Sequence, residues 1–201
     1  MRRSVRLALG AVFVLVGSVA LAQNSTEYYP LKKDTKWVFK VGESTITMKV
    51  SAVTPEGATI DTLVNEKLVA SETIQVKSDG VYRSKINKSE IVPPVKILAL
   101  KDGKPEPKGT KWKIDSKIQI NNQDNPIKGE FTIKDDKEKV KVPVSDKEIE
   151  AVAVEGPEFQ IAGSKTSVRY WFAPGKGTIK LAYSIEGNEA VLELKEFTEG
   201  K

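Results

Sequence analysis

The chain predicts an all-β protein, or a β-rich one with minor helix, built as a single antiparallel, strongly curved sheet: a half-barrel or a flattened barrel. Three observations carry this. Apolar residues recur with a period of two rather than 3.6, turn dipeptides punctuate the chain throughout, and the runs between them number about ten to twelve, at the 8–12-residue spacing of sandwiches, meanders and barrels.

Residues 1–22 stand apart. Arg2, Arg3 and Arg6 give a basic start, the run from Leu7 to Ala20 is almost wholly apolar, and Ala20-Leu21-Ala22 places small residues before Gln23. This is the pattern of a cleavable export signal. Its apolar core of about 14 residues falls short of the roughly 20 that cross a bilayer as a helix. No cysteine follows Ala22 to carry a lipid anchor. The expectation is an exported protein, periplasmic or extracellular, soluble after cleavage near Ala22-Gln23 and without a transmembrane span. Residues 23–201 then form a single β-rich domain.

Along that domain the alternation is direct. Ser44 to Val53 sets Ile46, Met48 and Val50 against Thr45, Thr47 and Lys49. Lys111 to Ile120 puts Trp112, Ile114, Ile118 and Ile120 on one face, interrupted by Ser116. Val191, Leu192 and Leu194 precede Phe197 in a charge-interleaved run near the end. Half-apolar strands of this kind suit an antiparallel sheet with one wet face. Pro55-Glu56-Gly57, Asp79-Gly80, Asp135-Asp136, Pro174-Gly175 and Gly187-Asn188 read as the turns between them. The segment from Val95 to Lys101 is short enough to be a turn of helix or a buried strand, and strand is preferred. The polar Pro/Gly stretch from Lys101 to Lys108 is the best internal boundary. Across it, Asp34-Thr35-Lys36-Trp37 is echoed by Gly109-Thr110-Lys111-Trp112, each after a proline (Pro30, Pro107). Both read as a turn that delivers a tryptophan to the start of a strand, as in a two-unit β repeat or in two strands that merely begin alike.

Charge and composition narrow the function. The chain carries 32 Lys and Arg against 27 Asp and Glu, but three of the arginines lie in the signal, leaving 29 against 27. So small an excess, interleaved with acids, reads as a solvated face and not as a nucleic-acid surface. Neither histidine nor cysteine occurs. That removes thiol chemistry, Ser-His-Asp catalysis and the commonest transition-metal ligands, and disfavours an enzyme. No cofactor and no metal site is expected.

The segments Tyr28-Tyr29-Pro30-Leu31, Lys36-Trp37, Asp79-Gly80-Val81-Tyr82, Pro93-Pro94, Gly109-Thr110-Lys111-Trp112 and Val142-Pro143-Val144 occur in that order. They lead to Tyr170-Trp171-Phe172-Ala173-Pro174-Gly175-Lys176-Gly177-Thr178-Ile179-Lys180. In these the chain resembles the TapB-like domain-of-unknown-function family of exported bacterial proteins. It departs from that pattern at Ser145-Asp146-Lys147-Glu148-Ile149, where the family has a small-residue turn ending in an aromatic. The resemblance implies an exported, β-rich protein with no established activity. In architecture alone the chain is also similar to half-barrel lipoprotein carriers, a likeness of fold that assigns no function.

Other motifs give less. Pro174 to Thr178 has glycine after its lysine, unlike a phosphate-binding loop, and reads as a tight hairpin. Asp135-Asp136 reads as a solvated hairpin tip. Glu148 and Glu150 share a strand face but lack an apolar setting that would separate their titrations. Asn121 to Asn125 reads as a long polar turn closed by Pro126, and Asn87-Lys88-Ser89 fits a glycosylation sequon. The aromatics remain: Trp37, Trp112, Tyr170, Trp171 and Phe172 are the candidate ligand-binding residues, with a core role as the alternative. Two readings follow. One is a non-enzymatic binding module for an apolar or glycan envelope ligand. The other is a structural or interaction protein of the bacterial cell envelope without a small-molecule ligand. Partners are lipid, glycan or envelope protein, not nucleic acid, and the oligomeric state is open.

Overall fold

The computed structural model describes residues 26–201; the expected signal, residues 1–22, lies outside them. Two six-stranded meanders follow one another. The first comprises β1 (Lys36–Val41), β2 (Ser44–Thr54), β3 (Gly57–Val64), β4 (Lys67–Lys77), β5 (Gly80–Ile86) and β6 (Ser89–Lys101). A two-residue strand, β7 (Lys104–Pro105), pairs back on β6 and leads to the second. That comprises β8 (Lys111–Ile120), β9 (Gln123–Val140), β10 (Ile149–Ile161), β11 (Ser164–Ala173), β12 (Gly177–Ile185) and β13 (Asn188–Thr198). Every pairing is antiparallel, and no helix occurs among the described residues. β1 pairs with β13, β5 with β6 and β6 with β8, so the sheet closes into a twelve-stranded barrel. The expected curved antiparallel sheet is thus a closed barrel, and Val95 to Lys101 is strand.

Closure explains the period of two. On β8, Ile114, Ser116 and Ile118 are buried while Lys111, Lys113, Asp115 and Lys117 are exposed. The outer face carries ion pairs between adjacent strands, such as Lys180–Glu193 at 2.8 Å and Lys111–Glu130 at 3.5 Å. A barrel spanning a membrane needs an apolar outer band around a polar lumen; here the polarity is reversed.

The two ends differ. One is trimmed by six two-residue hairpins: Gly42-Glu43, Asn65-Glu66, Asn87-Lys88, Asn121-Asn122, Ala162-Gly163 and Glu186-Gly187. Asn65, Glu66, Asn121, Asn122, Ala162 and Glu186 all have φ between 49° and 61°, the left-handed conformation whose twist matches that of the paired strands. At the other end the segment before β1 folds under the barrel. Gly175 N–H donates to the Glu27 carbonyl at 2.8 Å, Trp37 Nε1 donates to the Lys176 carbonyl at 2.5 Å, and Tyr29 and Leu31 are buried.

The echo between the meanders is structural. Thr35 N–H bonds back to Lys32 and Thr110 N–H to Pro107, each at 3.1 Å, through a residue of positive φ (Asp34 at 67°, Gly109 at 91°). Each turn then makes the same pair of bonds to a fully buried residue: Asp34 and Thr35 with Val50, Gly109 and Thr110 with Ile133. One device places Trp37 and Trp112 each at the second position of its strand.

Two expected turns are corrected. Asp135 and Asp136 lie within β9, not at a hairpin tip; the register with β10 shifts there, which turns both acids toward solvent within an 18-residue strand. Asn121 to Asn125 is not a long loop either, because the reversal needs only Asn121-Asn122 and Pro126 already lies in β9. Asn87-Lys88 of the sequon is one of the six hairpin turns.

Leu31 is the aliphatic member of the plug, at 1% exposure. Leu31→Ala is expected to lower stability by about 2–5 kcal/mol, read as a fall in the urea midpoint with the slope unchanged.

Candidate functional site

Barrel diameter grows with strand number, and about eight strands already give an interior just wide enough for side chains to fill. Twelve strands leave more space, and the two halves of this barrel treat it differently. Near the plug, aromatic rings span it. Phe197 meets Trp37 at 6.0 Å between ring centroids, Trp37 meets Tyr29 at 6.3 Å, and Tyr29 meets Phe172 at 6.0 Å. Phe172 stacks on Tyr170 at 5.4 Å, and Tyr170 reaches Phe131 at 6.3 Å, which in turn meets Trp112 at 5.6 Å.

Toward the hairpin end the inward side chains are mostly aliphatic and too short to meet. They leave a cavity of about 280 Å³. Its upper wall is Ile86, Ile91, Ile118, Ile161 and Ile185, and its middle is Val95, Ile97, Ile127, Val168 and Leu181. Ile161 and Ile185 close their strands at hairpin turns and are 37% and 46% exposed, so the cavity opens there. Thr166 and Tyr183 add two hydroxyls to an otherwise apolar wall.

The floor is polar. Arg83 Nε donates to Glu72 Oε2 at 2.5 Å, and Arg83 Nη1 donates to the Tyr170 hydroxyl at 3.4 Å. Arg83, Tyr170 and Leu181 line both this cavity and a small void of about 30 Å³ beneath it, so they form the partition between open half and filled half. The side chains of Arg83 and Glu72 are 24% and 12% exposed. Burial opposes the Arg83 charge, but the Glu72 carboxylate and the Tyr170 and Tyr29 hydroxyls outweigh it and raise the pKa above the ordinary arginine value. Burial also raises the Tyr29 pKa well above the usual phenol value, with the Glu72 charge adding to it, so its hydroxyl stays protonated.

A larger hollow, about 660 Å³, lies outside the wall, where β10 departs from register between Gly156 and Phe159. Exposed Lys128, Glu158, Gln160 and Lys165 border it, and the Phe159 ring separates it from the interior cavity. Gly129 and Gly156 make room for that ring; a Cβ on Gly156 would collide with it.

The five candidate aromatics divide by strand parity. Trp37, Trp112, Tyr170 and Phe172 all belong to the interior aromatic series, and of these Tyr170 lines the cavity itself. Trp171 lies on the outer face, as alternation along β11 requires. It is nevertheless only 7% exposed, because Arg169 and Lys180 lie over its ring at 4.7 and 5.6 Å and its Nε1 donates to Glu138 at 3.0 Å. Sequence reasoning missed Arg83 and Glu72. A signal was present: after residue 22 the chain is rich in lysine but has only two arginines, Arg83 and Arg169. Both are in partly buried pairs with glutamate, where a planar guanidinium outperforms an ammonium.

Glu72→Ala strands the Arg83 charge in the interior and is expected to cost about 3–5 kcal/mol, whereas Glu72→Met with Arg83→Met restores most of that loss. Urea unfolding of the two variants beside the parent checks this.

No family model matches this chain, and no curated protein does. Among solved structures it is similar to a protein assigned as a lipoprotein from Parabacteroides distasonis ATCC 8503, at 15% identity and a TM-score of 0.47. That alignment covers 88% of this chain and 100% of the other. It is also similar to the hypothetical lipoprotein YmcC from Escherichia coli K12, at 10% identity and a TM-score of 0.40, over 81% of this chain and 83% of that one.

Proposed function

We propose that this is a non-enzymatic binding module of the bacterial cell envelope that holds an apolar ligand inside its barrel. The cavity above the Glu72–Arg83 partition carries the reading: apolar walls, a polar floor and an opening at one end are the features of a small-molecule site. At about 280 Å³ it lies at the lower edge of the roughly 300–1,000 Å³ usual for ligand pockets, which suits one acyl chain better than two. Its aliphatic lining favours lipid over glycan, since a sugar would leave hydroxyls facing isoleucines without hydrogen-bond partners.

The basic and apolar residues 1–22 support export to the periplasm or beyond. The charged outer face supports a barrel standing in water and not within a bilayer. Kinship with the TapB-like family is part of the same proposal and rests on the shared aromatic and Pro-Gly segments. A second reading, an envelope interaction protein, draws support from the apolar residues around the hairpin-end rim, where Leu68 is 60%, Ile185 46%, Ile120 40% and Ile161 37% exposed.

Native mass spectrometry of the protein purified from the envelope of its own host is the test. A near-stoichiometric lipid is expected, and Val168→Trp, which fills the cavity from β11, is expected to abolish it. Retention of the same lipid by the folded variant would place the ligand elsewhere, and a ligand-free parent would move the weight to the interaction reading.

A further inference from the structure

The geometry points to a specific ligand class: a single-chain amphiphile with an uncharged, hydrogen-bond-accepting head, a hydroxyl or carbonyl, that enters head first and seats on Arg83 and Tyr170. The inference rests on the cavity being a ligand site. Polarity along the cavity sets the orientation. The mouth is ringed by Ile86, Ile161 and Ile185, and the charged groups lie at the floor, Arg83 being three residue steps, about 10 Å along β5, from Ile86. A methyl terminus at the floor would leave the guanidinium facing hydrocarbon, whereas a head group there would be solvated and its tail would lie among the isoleucines.

The charge balance sets the kind of head. Arg83 spends Nε–H on Glu72 and one N–H of Nη1 on Tyr170, leaving its other donors for whatever occupies the cavity. Tyr170 accepts from Arg83, so its own O–H also remains to be donated. The floor therefore offers donors. It offers no net positive charge, because Glu72 at 2.5 Å already neutralises Arg83. No other Lys, Arg, Asp or Glu lines the cavity. A fatty-acid carboxylate would put two carboxylates on one guanidinium and leave a net negative charge in an apolar enclosure, which costs more than the extra bond returns. A neutral acceptor takes the charge-assisted hydrogen bonds and leaves the enclosure neutral. Glu72 is in this sense the specificity-determining residue, though it need not touch the ligand.

Calorimetric titration with decan-1-ol and with decanoate at pH 8, where the fatty acid is ionised, tests this on the parent and on Glu72→Gln. The parent is expected to bind the alcohol at least about tenfold more tightly, a margin one hydrogen bond to a charged group supplies. Glu72→Gln leaves Arg83 uncompensated, and the order is expected to reverse, with decanoate gaining about tenfold or more. General avoidance of carboxylates by an apolar pocket predicts no such reversal. Equal binding of the two probes by the parent, or an unchanged ratio in the folded variant, overturns the head-first assignment while leaving the cavity reading intact. Binding of neither probe overturns the cavity reading itself and this inference with it. Should Glu72→Gln fail to fold, the Glu72→Met/Arg83→Met pair decides: decan-1-ol affinity is expected to fall about fivefold or more for want of donors, and an unchanged affinity overturns the assignment.

Discussion

Closing twelve strands on themselves commits the chain to an interior wider than one layer of side chains fills, and most of the structure answers that constraint. The plug of Tyr29 and Leu31, the aromatic series from Phe197 to Phe131 and the inward Trp37 and Trp112 occupy the lower half. Above Arg83 and Tyr170 the Phe131–Phe159 pair, 4.6 Å between centroids, stays in the wall, no ring series spans the interior, and space remains. The same closure gives every barrel strand a neighbour on each side, although β6 and β8 pair only at Ile91–Ile118 and Val92–Lys117, and lysines and acids pair across strands on the outer face.

The Glu72–Arg83 pair sits where filled and open halves meet. Buried ion pairs add little net stability compared with apolar residues of similar volume, because desolvation offsets the attraction. Its place is better understood through what it does to the cavity: it ends an apolar space with donors while keeping that space electrically neutral. Arg169, the neighbour of Tyr170 on the opposite face, pairs with Glu138 at 2.7 Å and roofs Trp171. The two arginines thus flank β11 from inside and outside, and the Tyr170-Trp171-Phe172 run is held on both faces.

Fold class was legible because alternation on strands such as β2 and β8 is a direct record of inside and outside. The turn that delivers Trp37 and Trp112 was legible too, since its residues are local to each segment. Closure was one of the two alternatives, half-barrel or flattened barrel, and the sequence did not choose between them because the pairings of β1 with β13 and of β6 with β8 join segments that share no local pattern. Of the six hairpins at the open end, the sequence marked the one at Gly187 but not those at Gly42 and Gly163, nor Asn65-Glu66, where non-glycine residues adopt the same positive φ. Of the site, the aromatic residues were visible as types, but which of them faces the cavity depends on parity along β11. The Glu72–Arg83 contact depends on the pairing of β4 with β5, across a register shift next to Arg83.

The six two-residue hairpins at the open end have a kinetic meaning. Turns that short, each locked by its own strand pairing, have no length to fold over the opening, and so the barrel has no lid among its described connections. For the ligand proposed above, entry would then await no gating step, and residence time would be governed by the wall contacts and by the two donors at the floor. So open a barrel would suit transient hand-over of that proposed ligand more than its long storage.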